Sequence, residues 1–148
     1  MIKTPLSTVI GGAFWTPGAT ILGSSSKNLT QLIKSLFSLG EQGFAYDPND
    51  LTTLYQDAAG TIPVTAAGQP VGLMKDKSGR NNHAFQTVSA SRPILQRNVT
   101  TGAYYLAFDG VDDFLQTNNI DFTATDKVSL FTGVRKLSDA ATSVVCEL

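Results

Sequence analysis

From Glu41 onward the chain is broken by turn chemistry: YDPND, DAAG, AAGQP, DKSGRNN, TTG and FDGVDD stand between short apolar runs. Gly, Pro, Asn and Asp clusters at such intervals leave little room for helices of ordinary length. They mark the reversals of an all-β sandwich instead. Within YYLAF, Tyr104, Leu106 and Phe108 point one way and Tyr105 and Ala107 the other, the period of a half-buried strand. Asp109-Gly110 supplies a bend, after which VDDFLQT resumes. KVSLFTGVRKL and TSVVCEL read as two further strands joined by LSDAA.

The first forty residues differ. Residues 1–26 carry Gly, Pro, Ser and Thr at intervals no helix tolerates, yet Val9, Ile10, Phe14, Trp15, Ile21 and Leu22 are too apolar for water. The segment reads as an extended arm that buries these side chains against a partner, another subunit or its own domain. Residues 28–39, NLTQLIKSLFSL, form the one convincing helix. Leu29, Leu32, Ile33, Leu36 and Phe37 fall on a single stripe at i, i+3, i+4, i+7 and i+8. Ser26 or Asn28 caps its start, and Gly40 ends it. The division is therefore 1–40 for attachment and oligomerisation and 41–148 for the β-domain.

Composition excludes several functions. Of 148 residues, 16% are charged and the net charge is −1, with the basic residues scattered, so a nucleic-acid surface is not expected. One cysteine, Cys146, and one histidine, His83, rule out an internal disulfide and a Cys/His zinc site. Cys146 sits in an apolar run and reads as a small core residue. No apolar run is long enough to span a membrane, and Thr16-Pro17 interrupts the N-terminal apolar patch, so no signal peptide is expected. The Asn-x-Thr sequons at Asn28 and Asn98 carry meaning only in a eukaryotic secreted chain.

The stretch DKSGRNNHA, residues 76–84, looks like an assembled site but consists of turn devices. Asp76 can accept amides two residues on, Gly79 takes positive φ without penalty, and Asn81 and Asn82 tolerate left-handed backbone. Catalysis is not expected. No G-x-S-x-G elbow occurs, and the only glutamates, Glu41 and Glu147, lie at opposite ends of the chain. Asp112 and Asp113 are adjacent, and adjacent residues of a strand face opposite sides, so the pair is not expected to share a substrate. A cation site has better material. Asp76, Asn82, Asp109, Asp112 and Asp113 are hard oxygen donors and stand as candidate Ca²⁺ ligands, beside a plainer reading as Asx-turn caps.

The succession YDPNDLTTLYQDAAGTIPVT, GQPVGLMKDKSGRNNHAFQ, RPIL and YYLAFDGVDDFLQT resembles the laminin-G/concanavalin-A-like jelly-roll domains of bacteriophage structural proteins. DKSGRNNHA and FDGVDDFL carry the resemblance, which covers residues 41–148. It implies a β-sandwich for carbohydrate or protein contact in a tail fibre, spike, baseplate or collar component of a virion. Such sandwiches run longer than this one, so the resemblance implies a domain shortened at SVVCEL, and residues 1–40 fall outside its motifs.

The expected function is a phage virion structural protein, anchored to other virion proteins through Phe14, Trp15, Leu29, Leu32, Ile33, Leu36 and Phe37. A homo-oligomer is expected from the apolar stripe; the preference for a trimer comes from the resemblance. The alternative is a carbohydrate-binding module, with or without Ca²⁺, that stacks a glycan on Tyr46, Tyr55, Tyr104 or Tyr105. A glycosidase is disfavoured by the missing carboxyl pattern.

Overall fold

A computed structural model describes residues 28–124, 128–137 and 145–147, together with the backbone of four residues nearer the N-terminus. Those four form strands β1 (Val9–Ile10) and β2 (Ala13–Phe14), paired antiparallel with Val9 opposite Phe14. Part of the expected extended arm is thus a hairpin. The Phe14 side chain and all of Trp15 lie outside the described residues.

Helix α1 (Leu29–Leu36) starts where the sequence says it should. Asn28 is its N-cap: the Asn28 side chain accepts from the Gln31 amide at 2.8 Å, and the Gln31 side chain accepts from the Asn28 amide at 3.1 Å. This reciprocal box satisfies two amides that a helix start otherwise leaves unpaired. The helix ends at Phe37, and Gly40, with φ +102°, turns the chain beyond it. No residue of α1 is buried.

The described part of 41–148 is mainly β, built of small antiparallel sheets. Strands β3 (Leu54–Tyr55), β4 (Leu73–Met74) and β5 (Ala84–Phe85) form one sheet, with Leu54 opposite Met74 and Leu73 opposite Phe85. Strands β6 (Ile94–Arg97) and β7 (Tyr104–Ala107) form a hairpin in which Leu95 faces Leu106. The stretch from Gly68 to Met74 joins the two. Its first half lies along β6, through Gly68 N–H to Leu95 O at 2.7 Å and Leu95 N–H to Gln69 O at 2.9 Å, and its second half is β4. Leu54, Val64, Val71, Met74 and Leu95 pack into one buried cluster, flanked by Tyr46, Leu51, Tyr104, Leu106 and Leu115. Both sheets therefore share a core.

Two residues make that join possible. A Cβ on Gly72 would meet the Gln56 carbonyl oxygen at 2.6 Å and the Asp57 carbonyl carbon at 2.9 Å, so only glycine lets the strands approach there. Arg92 then donates to three backbone carbonyls, those of Gln86 (3.1 Å), Gln56 (3.0 Å) and Thr87 (3.1 Å). Its rigid fork of donors suits that task in a way a lysine would not match.

The far end departs from expectation. Residues 111–115 form a turn and an irregular run rather than a strand, and only Gln116 rejoins the sheet, bridging Phe85. Residues 128–137 of the expected strand KVSLFTGVRKL are exposed and outside any ladder. An alternating pattern makes a segment fit for a sheet, but a ladder also needs a partner, and within its own chain this segment is paired with none of the described strands. Of TSVVCEL only Val145–Glu147 is described, without strand pairing, and Cys146 is half-buried rather than in the core.

Candidate functional site

The DKSGRNNHA loop is a clamp. Asp76 Oδ1 accepts from the amides of Ser78 (2.8 Å) and Ala45 (2.8 Å), and Oδ2 from the Ser78 hydroxyl and the Asn82 amide (3.1 Å). One carboxylate thus closes its own loop and catches a segment thirty-one residues earlier. Gly79 (φ +91°) and Asn81 (φ +63°) take the left-handed backbone that the closure requires.

The segment it catches is residues 37–50. Lys77 N–H donates to Ala45 O at 2.8 Å, Asn82 Nδ2 to Gly43 O at 2.6 Å, and Arg80 Nη2 to Phe37 O at 2.7 Å. The Tyr46 hydroxyl donates to the Asn82 carbonyl, and its ring stacks on Phe44 at 5.0 Å. Lys77 Nζ pairs with Asp50 (2.8 Å) and Asp47 (3.2 Å) while its side chain is only 8% exposed. The Phe37 ring covers Gly43, where an added Cβ would fall 2.9 Å from the ring edge. The helix and the YDPND turn are therefore tied to one loop.

The electrostatics follow the bonds. Hydrogen bonds from Lys77 and Thr52 hold the Asp50 carboxyl below its ordinary range. Burial opposes the Lys77 charge, but the bonds to Asp50 and Asp47 outweigh it and raise the ammonium. Burial pushes the Tyr46 phenol far up, and the nearby Asp76 charge adds to this. His83 accepts the Asp76 amide on Nδ1 at 3.1 Å. That bond places the proton of the neutral ring on Nε2, and no carboxylate among the described residues is bonded to it.

The FDGVDDFL turn gathers the other candidates. Ligand oxygens of Asp109, Asp112 and Asp113 lie within 4.8 Å of one another, and Asp76 does not belong to the group. The five expected Ca²⁺ ligands are thus divided: Asp76 and Asn82 build the clamp, and the three aspartates of the turn stand together. The sheet argument separating Asp112 from Asp113 fails because this stretch is a turn, in which alternation does not apply. Each carboxylate has structural work as well. Asp109 Oδ1 accepts from the amides of Val111 (2.8 Å), Asp112 (3.2 Å) and Asp113 (3.3 Å). Asp113 Oδ2 accepts from the Asp109 amide at 2.9 Å, and Asp112 Oδ2 from the Ser91 hydroxyl at 2.7 Å. The amides, first that of Val111, hold the Asp109 carboxyl below its ordinary value.

The apolar candidates fall into two sets. Leu29, Leu32 and Leu36 are 57%, 49% and 64% exposed, whereas Ile33 and Phe37 are half-buried, Phe37 with its ring on Gly43. Among the tyrosines, Tyr46 is held by Asn82. Tyr55 lies under Lys75, 4.5 Å from its centroid, and Tyr104 under Arg97 at 5.6 Å. Only Tyr105 keeps an open face, 47% exposed. Sequence reasoning missed the roles of Arg80, Lys77 and Tyr46, whose partners lie far away along the chain, and of Arg92, which links the nearby carbonyls of Gln86 and Thr87 to the distant one of Gln56. No protein-family model, no curated protein and no solved structure matches the chain. No described helix is long and apolar enough to cross a membrane.

Proposed function

We propose that the chain is a structural component of a bacteriophage particle, a tail fibre, spike, baseplate or collar protein attached through its N-terminal segment. Its β-region, a concanavalin-A/laminin-G-like sandwich in this reading, contacts the host surface or a neighbouring protein. The supporting observation is the outward stripe Leu29–Leu32–Leu36 on a helix whose end is held by Arg80. A surface helix kept in place with its leucines in water is suited to joining copies. At about 25 cal/mol per Å² of apolar area, covering three leucines contributes several kcal/mol per subunit. Copies around a closed axis, a trimer by the resemblance, bury the stripe without open-ended growth. Electron microscopy of particles carrying a tagged chain tests the location. Label on the tail supports the reading, and particles without label, assembled normally, contradict it.

The second reading is a carbohydrate-binding module. It is favoured by the Asp109–Asp112–Asp113 group, exposed at Asp109 and Asp112, and by the exposed Tyr105. A glycan array probed in Ca²⁺ and in EDTA separates the two readings. Calcium-dependent glycan capture by the free chain supports the module.

A further inference from the structure

We propose that residues 128–137 are a donor strand, which a second copy of the chain receives along the outer edge of β7. The edge follows from register. Leu95 directs both its backbone groups at Gly68 and Gln69, away from β7. In an antiparallel ladder the residue opposite, Leu106, must then turn its N–H and C=O outward as well. Among the described residues neither group has a partner. Two residues earlier on the same edge, the Tyr104 amide is already taken by Asn49 Oδ1 at 2.8 Å, so the opening begins after it. Unpaired groups of this kind are a template for another strand.

The segment has the matching properties. Val128, Leu130, Thr132 and Val134 alternate along one side, and the run is rich in β-branched and aromatic residues. Val128, Leu130 and Val134 are 49%, 49% and 67% exposed, and Phe131 is 93% exposed. Within its own chain the segment does not lie on β7.

Charge selects the direction and the occupant. β7 leads into the turn that holds Asp109, Asp112 and Asp113, and Arg97 sits over Tyr104 at its opposite end. A donor running parallel to β7 brings Arg135 to the three carboxylates. An antiparallel donor brings it to Arg97, where like charges repel. The complementary edge and strand belong to one sequence, so a second copy supplies both. Donation from each copy to the next closes as a ring or a reciprocal pair. The inference rests on the proposed function: α1 brings the copies together, and the donated strand adds to that contact without holding copies by itself.

Hydrogen–deuterium exchange of the full chain at low and high protein concentration tests it, with the mass in solution measured in parallel. Expected is roughly tenfold slower exchange at Leu106 and across 128–137, appearing together as copies associate. Thr132→Pro, which removes a backbone amide from the strand, loses this protection, while the melting temperature at the low concentration, where copies are apart, stays the same. Arg135→Glu weakens it. Protection already present in a monomer means pairing within one chain and overturns the proposal, as does a chain that never associates. Fast exchange at Leu106 inside an intact oligomer also overturns it, and leaves the α1 reading standing.

Discussion

Arg80 Nη2 donates to the carbonyl of Phe37 at 2.7 Å, so a cation closes the C-terminal end of α1 from forty-three residues away along the chain. The unpaired carbonyls at a helix end carry partial negative charge, which a guanidinium complements. With the Phe37 ring seated on Gly43, the bond fixes which side of α1 faces the clamp and which faces outward.

Arg80→Ala is expected to cost about 1.5 kcal/mol, the lower end for a hydrogen bond from a charged group. Amides of α1 should exchange faster, while those of β6 and β7 keep their rates. Equal protection of α1 in both proteins would show that the helix is held by other contacts.

Asp76 is the keystone of the loop. Asp76→Ala leaves four donors without their acceptor and is expected to cost about 3 kcal/mol in urea denaturation, a large share of the stability of a marginally stable domain. Asp76→Asn keeps one carbonyl oxygen and should fall between. A loss below about 0.5 kcal/mol in the alanine variant, as at ordinary surface sites, would deny the clamp.

Tyr46 predicts an alkaline limit. Its phenol is raised by burial in the folded protein, while in the unfolded chain a tyrosine ionises at about 10. The contribution is therefore whole below about pH 10 and lost as pH rises through the folded value. Tyr46→Phe should remove this component of alkaline destabilisation and cost about 1 kcal/mol at neutral pH, for the bond to Asn82. A variant as alkali-sensitive as the parent would contradict the assignment.

The aspartate turn is expected to fold without a cation, because its carboxylates already bind amides and a hydroxyl. Asp109→Ala should destabilise the turn equally in Ca²⁺ and in EDTA, read from melting curves. A melting temperature that falls in EDTA for the parent chain would favour the calcium-dependent module, since a ligand bound only by the native state stabilises it by mass action.

Local chemistry made much of this legible. Asp57, Asp76 and Asp109 each open a turn in the sequence, and each accepts amides downstream: Ile62 (2.8 Å), Ser78 (2.8 Å) and Val111 (2.8 Å) respectively. The cap at Asn28, the stripe on α1 and the strand at YYLAF were equally local. What sequence could not reveal was partnership. YDPND was legible only as a turn, yet Tyr46, Asp47 and Asp50 reach residues 77–82, and no periodicity encodes a contact across thirty residues. The same limit explains KVSLFTGVRKL: its alternation showed fitness for a sheet, but an available edge is a property of the fold.

The most direct measurement of the central claim is the mass in solution of the full chain against Leu32→Asp/Leu36→Asp, by sedimentation equilibrium at micromolar concentration. Both leucines are exposed on the outward face of α1, so the double variant should keep the β-region's melting transition. The account predicts an oligomer, a trimer by the resemblance, for the parent chain and a monomer for the variant. A variant that keeps the parent's mass, or a parent that is itself a monomer, would contradict it.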